Sequence, residues 1–279
     1  MSTSYSIRFA CHPEDIRYYK TEKLRNHFLI KDLFKNGEIN LIYSHYDRFI
    51  IGGIKPNLSA LVLEVIPPLK SEYFTERREL GVINIGEPGV VSVDSEDYHL
   101  GYKEALYIGK GAKKIVFSNK EGNQSIFYLN SATAHKAYPV KKITQEESEL
   151  VELGSHESSN HRVIRKLIVN SIVDTCQLQM GMTELKSGSV WNTMPAHVHD
   201  RRMEAYLYFD LPKDQVVCHF LGEPEHTRHI WLTNQQVVLS PPWSIHAGAG
   251  TSNYTFIWGM AGENLDYSDM EKCKLTDLR

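Results

Sequence analysis

The stretch Trp191-Asn-Thr-Met-Pro-Ala-His197-Val-His199-Asp-Arg-Arg202-Met-Glu204-Ala-Tyr206-Leu-Tyr208-Phe209 decides how the chain is read. It contains His-x-His-x4-Glu, formed by His197, His199 and Glu204, and Pro241-Pro242-Trp243-Ser244-Ile245-His246 downstream ends in a fourth possible ligand. Side chains alternate across an extended strand, so histidines two apart share a side. A carboxylate placed after a short turn can rejoin that side. Three imidazoles and one carboxylate suit a divalent first-row metal that keeps a position open for substrate. Continuing the alternation from Glu204 places Arg202, Tyr206 and Tyr208 on its side, and Ala205, Leu207 and Phe209 on the other. An interior with a metal, a guanidinium and phenol hydroxyls fits an oxygen-rich anionic small molecule, because the guanidinium fork matches a carboxylate bidentately. Arg202, Tyr206 and Tyr208 are therefore the expected substrate-binding residues. Arg162 and Lys166, where the second β-rich region begins, are further candidates for an anion clamp. Trp243, Trp258 and Tyr254 read as core packing.

Outward from this stretch the chain is a series of short β-rich runs. Ile39–Tyr46, Arg48–Ile51, Leu80–Ile85, Val90–Val93, Ala105–Ile108 and Lys114–Phe117 are separated by turn residues such as Gly86-Glu87-Pro88-Gly89. Gly52-Gly53 reads as an interruption. Similar runs follow from Arg165 to Trp258. Such spacing predicts an all-β sandwich or barrel. The first residues up to about 36 read as a short helical lead-in starting at Pro13. The polar stretch after Phe127, continuing to about Arg162, reads as a connector. Gly222-Glu223-Pro224 echoes Gly86-Glu87-Pro88, and Arg201-Arg202-Met203-Glu204 echoes Arg77-Arg78-Glu79, in the same order. Two copies of one barrel are expected, over residues 1–150 with the lead-in and 151–279. No His-x-His precedes Glu79 and no histidine lies in Ile108-Gly109-Lys110-Gly111-Ala112, so the first copy is expected to be metal-free.

The bulk properties narrow the class. A net charge of −3 over 279 residues, without a long basic run, argues against a nucleic-acid binder. Cys11, Cys176, Cys218 and Cys273 are scattered with no CxxC, as in reduced cytosolic proteins. The first ten residues lack the apolar core of a signal peptide, and no apolar run approaches a membrane span. A cytoplasmic location is expected.

His-x-His-x4-Glu followed by Pro-x-x-x-x-His and a Gly-rich turn resembles the two motifs of the cupins, small antiparallel β-barrels with an internal metal. That resemblance implies His197, His199, Glu204 and His246 as the ligands. One departure is Trp243, which stands two residues after Pro241, where cupins usually have glycine. Over nearly the whole length, runs such as Arg77-Arg78-Glu79-Leu80-Gly81-Val82-Ile83-Asn84-Ile85-Gly86, Leu106-Tyr107-Ile108-Gly109-Lys110-Gly111-Ala112, Trp243-Ser244-Ile245-His246 and Phe256-Ile257-Trp258-Gly259-Met260 are similar to the 5-keto-4-deoxyuronate isomerases. The resemblance implies a bicupin ketol-isomerase of pectin and uronate breakdown that turns 5-dehydro-4-deoxy-D-glucuronate into 3-deoxy-D-glycero-2,5-hexodiulosonate. It also implies one zinc per subunit and a homohexamer. An aldose–ketose isomerisation by proton transfer passes through an enediolate, whose charge needs electrostatic support. It also needs a general base, for which His219, a tyrosine, a metal-bound hydroxide and Glu204 all stand open. A hydride shift needs none. The same ligands suit an Fe(II) dioxygenase, and a non-enzymatic sugar-binding bicupin is a third class.

Overall fold

The computed structural model describes residues 3–263 and 265–279. The chain divides into two compact units. One comprises Asp32–Ser148, the segment Leu167–Gln179 and the strand Ser4–Arg8; the other comprises Phe9–Lys31, Glu149–Lys166 and Met180–Arg279. The units are not the contiguous halves 1–150 and 151–279: Phe9–Lys31 of the lead-in groups with the second unit, and Leu167–Gln179 with the first.

The first unit has a seven-stranded sheet in the order Ser4–Arg8, Glu38–Ser44, Ile50–Lys55, Phe127–Thr133, Arg78–Asn84, Ala105–Ile108, Lys141–Ile143. Its four-stranded sheet runs Leu61–Val62, Ile115–Asn119, Gly89–Val93, Glu96–Leu100. Pairing is antiparallel except that Ser4–Arg8 runs parallel to Glu38–Ser44. Leu80, Val82, Leu106, Phe127 and Leu129 from the large sheet meet Val91, Val93, Ile115 and Phe117 from the small one in a single apolar core. Gly52 and Gly53 do not interrupt the strand Ile50–Lys55; they lie inside it. A Cβ on Gly53 would stand 2.6 Å from the Leu33 carbonyl oxygen, so the glycine admits a close backbone approach.

The second unit repeats this plan. Its large sheet runs Glu149–Leu153, Arg162–Ile168, Gln179–Leu185, Thr255–Gly262, Arg202–Phe209, Gln236–Ser240, Leu29–Ile30, and its small sheet Trp191–Asn192, Ala247–Gly250, Val217–Leu221, Arg228–Leu232. Strand for strand the order matches the first unit, except that the last edge strand, Leu29–Ile30, comes from the lead-in. The duplication read from the sequence echoes is thus a duplication of topology. Each unit carries a seven-stranded and a four-stranded sheet, and no closed barrel of hydrogen bonds forms among the described residues.

The lead-in folds as the helices Pro13–Ile16 and Thr21–Phe28. The guanidinium of Arg228 donates to the carbonyls of Ile16, Arg17 and Tyr19, and so holds the end of the first helix. Phe28 meets Trp243 edge-on, with ring centroids 6.5 Å apart. Trp243, the departure from the cupin pattern, therefore supplies the apolar face on which the second helix rests. The polar stretch read as a connector contains two edge strands, Lys141–Ile143 and Glu149–Leu153. Edge strands face water along one side and tolerate charged residues, which hides them from a hydrophobic pattern.

The register also corrects the echo between the two arginine motifs. Arg78 and Arg202 open equivalent central strands. Met203 separates Arg202 from Glu204, whereas Glu79 follows Arg78 directly. A one-residue offset reverses the face of a strand side chain. Leu80, not Glu79, therefore stands where Glu204 stands, and Leu80 belongs to the apolar core. Glu79 turns to the opposite face. Its carboxylate accepts from the main-chain N–H groups of Cys176, Gln177 and Leu178 at 2.7, 2.8 and 2.7 Å, and from the Tyr107 hydroxyl at 2.7 Å.

Candidate metal centre

Strand geometry brings the predicted ligands together. His197 belongs to the two-residue strand His197–Val198, His199 follows it, Glu204 lies on Arg202–Phe209, and His246 precedes Ala247–Gly250. The His199 N–H donates to the Pro242 carbonyl at 3.0 Å, which ties the first motif to the second. One ligand atom from each of the four residues lies within 4.8 Å of all the others. Nε2 of His246 is 3.0 Å from Nε2 of His197, and Nε2 of His199 is 2.6 Å from Oε1 of Glu204. His199, Glu204 and His246 are each at most 3% exposed.

The protonation pattern is that of a ligand set. His199 presents Nδ1 to the Asp269 carbonyl at 2.7 Å, which fixes the proton on Nδ1 and leaves the Nε2 lone pair facing the cluster. Burial, reinforced by His246, pulls His197 from 6.5 down to about 2. Burial likewise brings His246 to about 4, with Glu204 pulling the other way. Burial alone would raise the Glu204 carboxyl, but the adjoining His246 and His199 rings and the Arg202 guanidinium hold it below the ordinary carboxylate range. Neutral imidazoles around an ionised carboxylate are the forms that bind a metal. Nε2 of His199 and Oε2 of Glu204 are buried without a hydrogen-bond partner. Two lone-pair-bearing atoms 2.6 Å apart repel unless a cation lies between or beside them. The donor set fits a divalent ion.

The cluster opens onto a cavity of about 310 Å³. Thr183, Thr193, Met194, Phe256, Trp258, Met260, Tyr267, Met270, Lys272 and Arg162 contribute to its walls. Of the expected substrate contacts, Arg202 and Tyr206 line it and Tyr208 does not. The Tyr206 hydroxyl lies 3.3 Å from Thr193 Oγ1. The Tyr208 hydroxyl is paired instead with Nδ1 of His219 at 2.7 Å, and His219 is likewise off the cavity wall. Arg202 reaches the wall with its terminal nitrogens already engaged. Nη1 donates to the Asp266 carbonyl at 2.7 Å, and Nη2 to those of Tyr267 and Asp269 at 3.2 and 3.1 Å. The fork that would match a substrate carboxylate instead pins the C-terminal segment beside the candidate ligands. Lys166 pairs with Glu149 at 2.6 Å and stands over the Tyr267 ring. Arg201, His226 and His229 do not line the cavity.

The C-terminal segment is what the sequence did not reveal. After the strand Thr255–Gly262 the chain returns over the ligands, and Glu271–Lys272 pairs with His197–Val198. Tyr267, Met270 and Lys272 thereby become wall residues. No periodicity marks this tail; its one signal is that Leu265, Tyr267 and Met270 punctuate an otherwise polar run from Glu263 to Lys272.

A sequence profile of the KduI/IolB family matches residues 28–274. The chain belongs to the KduI/IolB family. Within it, this member is 61% identical over 280 residues to a 4-deoxy-L-threo-5-hexosulose-uronate ketol-isomerase of Formosa agariphila, with both chains covered in full. It is 54% identical over the same length to the Bacteroides thetaiotaomicron enzyme named 4-deoxy-L-threo-5-hexosulose-uronate ketol-isomerase 1, again with full coverage of both. An IolB-like protein of Salmonella typhimurium has the same fold at 15% identity, with a TM-score of 0.65 over 81% of this chain and 87% of that one. Bacillus subtilis oxalate decarboxylase matches with a TM-score of 0.54 at 10% identity, over 80% of this chain and 71% of its own. At such identities the likeness establishes the fold alone. It agrees with the duplicated cupin reading of this KduI/IolB family member.

Proposed function

We propose that the protein is a metal-dependent ketol-isomerase of uronate breakdown, acting on 4-deoxy-L-threo-5-hexosulose uronate, the open-chain form of 5-dehydro-4-deoxy-D-glucuronate, and yielding 3-deoxy-D-glycero-2,5-hexodiulosonate. The observation that carries this reading is the buried His197–His199–Glu204–His246 cluster opening onto a walled cavity, in a chain 61% identical to a protein named for that reaction. The ligand set, three imidazoles and a carboxylate, suits a divalent first-row metal that keeps a coordination position free. Zinc, one per subunit, is assigned from the family resemblance. The homohexamer rests on the family resemblance alone, and the cytoplasmic location on the scattered cysteines without a CxxC. No helix among the described residues is long and apolar enough to cross a membrane. The first unit, with Leu80 at the place of Glu204, is the metal-free copy in this reading.

The reaction moves a hydrogen from C2 to C1 while the carbonyl moves from C1 to C2. A divalent ion in the site supplies Lewis-acid stabilisation of the negative charge that develops on substrate oxygen. The chain's own residues do the rest. Asp269 orients His199 through Nδ1, and Arg202 holds the segment that carries Asp269. Burial raises the pKa of the Tyr206 and Tyr267 hydroxyls, so both keep their protons and act as donors to substrate oxygens. Glu204 is the only carboxylate on the wall among the described residues, and its Oε2 has no protein partner. In this reading Glu204 takes the C2 proton through Oε2 and returns it to C1. His219 does not, because it is off the wall and engaged by Tyr208. Phe256, Trp258, Met260 and Met270 exclude water from the reacting carbons.

The test is to incubate metal-loaded protein with the unsaturated-uronate breakdown product and follow conversion by NMR, with metal content measured on protein purified without added metal. Stoichiometric zinc and appearance of the 2-ketose are expected. Stoichiometric iron with oxygen consumption, or a fully loaded protein that converts nothing, refutes the assignment.

A further inference from the structure

The cavity that holds the acceptor-rich metal cluster also has a donor-rich wall. Most cations near it are already engaged. Arg202 is bonded to three carbonyls, Lys166 to Glu149, and Arg165 lies 3.6 Å from the Glu184 carboxylate. Arg162 is different. It opens the strand Arg162–Ile168, it lines the cavity, and its one hydrogen bond is from Nη1 to the Asn160 carbonyl at 2.9 Å. Among the described residues no carboxylate pairs with it. It is half-buried, and burial pulls its pKa down. A guanidinium partly removed from water and without an anion is an incomplete arrangement, costly until an anion arrives. Trp258 adds to the same character. Its ring lies over Gly181, where a Cβ would come within 2.3 Å of the indole. Its Nε1–H is buried without a partner on the cavity wall.

We propose that Arg162 is the carboxylate anchor of this site: its free guanidinium nitrogens bind the C6 carboxylate of the uronate, and this contact selects acidic over neutral sugars. The inference rests on the isomerase reading and adds its specificity determinant. It transfers to Arg162 the role that the strand alternation assigned to Arg202. Among the described residues Lys272 is the other wall cation with no carboxylate paired to it, and it is exposed and therefore holds an anion less firmly.

The experiment compares the uronate with its C6 carboxamide, which has the same shape and no charge, in wild type, Arg162→Met, Arg162→Lys and Lys272→Met. Metal content is checked in each. Wild type is expected to favour the acid by about 100-fold in kcat/KM, as for loss of one partner in a desolvated charge pair. Arg162→Met is expected to lose about that factor on the acid, chiefly in KM, and nothing on the amide. Arg162→Lys keeps the charge but not the fork, and is expected to fall between. Calorimetric titration of the zinc-loaded proteins with D-galacturonate gives a readout without turnover, and binding should weaken in parallel. Equal use of acid and amide by wild type overturns the proposal. So does an Arg162→Met protein with unchanged KM, or a loss that appears in Lys272→Met instead. If Arg162→Met does not fold, Arg162→Lys and the wild-type acid-to-amide ratio decide. A wild type that converts neither compound refutes the isomerase reading itself, and the titration then still reports whether Arg162 binds a carboxylate.

Discussion

Replacing Glu79 with glutamine tests whether the first unit uses this carboxylate as a clamp for main-chain N–H groups. Oε1 accepts from Gln177 and Leu178, and Oε2 from Cys176 and Tyr107. In Glu79→Gln the amide oxygen can keep one of these pairs. The amide nitrogen then faces the other pair with hydrogens of its own. The Tyr107 hydroxyl can rotate and accept, but a main-chain N–H cannot. One buried N–H left without an acceptor costs about 1–3 kcal/mol. The bonds that remain lose their charge assistance, worth about another 1 kcal/mol in total. A loss of about 3 kcal/mol corresponds to a fall of about 6–12 °C in Tm for a chain of this size. The assay is calorimetry on the zinc-loaded protein, with hydrogen exchange read at residues 176–178. Exchange there should accelerate, while metal content stays at the wild-type level because Glu79 is not on the ligand face. An unchanged Tm with unchanged exchange would show that the clamp contributes nothing. Loss of zinc would show that the face assignment by register is wrong.

His246→Ala should abolish zinc retention and turnover while circular dichroism stays that of a β protein; retained zinc would place the ligand elsewhere. Arg202→Met removes three hydrogen bonds to carbonyls, at a cost of about 3 kcal/mol, and should speed proteolysis and hydrogen exchange over residues 265–272 and zinc loss to a chelator. Unaltered protection of that segment would refute the tie. The metal-stripped protein should lose stability as pH falls from 6.5 to about 4. The unfolded chain protonates His246 and His197 near 6.5, whereas the folded one resists to about 4 and about 2, so the unfolded state binds more protons throughout that window and is favoured by at least about 3 kcal/mol at its lower end. Urea titrations at stepped pH measure this; a flat profile would mean that His246 is not buried neutral.

The clustering of the four candidate ligands was legible in the sequence because its requirements are local. Spacing places His197 beside His199, a strand carries Glu204, and the second motif supplies His246. The duplication was legible in turn residues that recur with the topology. Arg202 shows where local reading stops. Alternation gave its face correctly, but not that a tail sixty-odd residues downstream would occupy its guanidinium. Tyr267 and Lys272 were invisible for the same reason, since their place depends on chain return and not on pattern. Glu79 was misaligned with Glu204 because the motifs look alike as strings, while faces are set by parity. The lead-in was recognised as helical, yet nothing in its amphipathic face names the unit that it covers.

That last point bears on the order in which the molecule can fold as it emerges from the ribosome. Leu29–Ile30 closes the edge of the second unit's large sheet against Val237 and Val238, so this strand is synthesised among the first and finds its partner among the last. The nascent chain must carry it unpaired through the making of the whole first unit. Conversely, the N–H groups of residues 176–178 that Glu79 gathers appear only after the second unit has begun. Neither copy can therefore be completed before the other is started. A fragment cut near residue 148 would leave the second unit with a bare sheet edge and the first with a buried carboxylate lacking its donors.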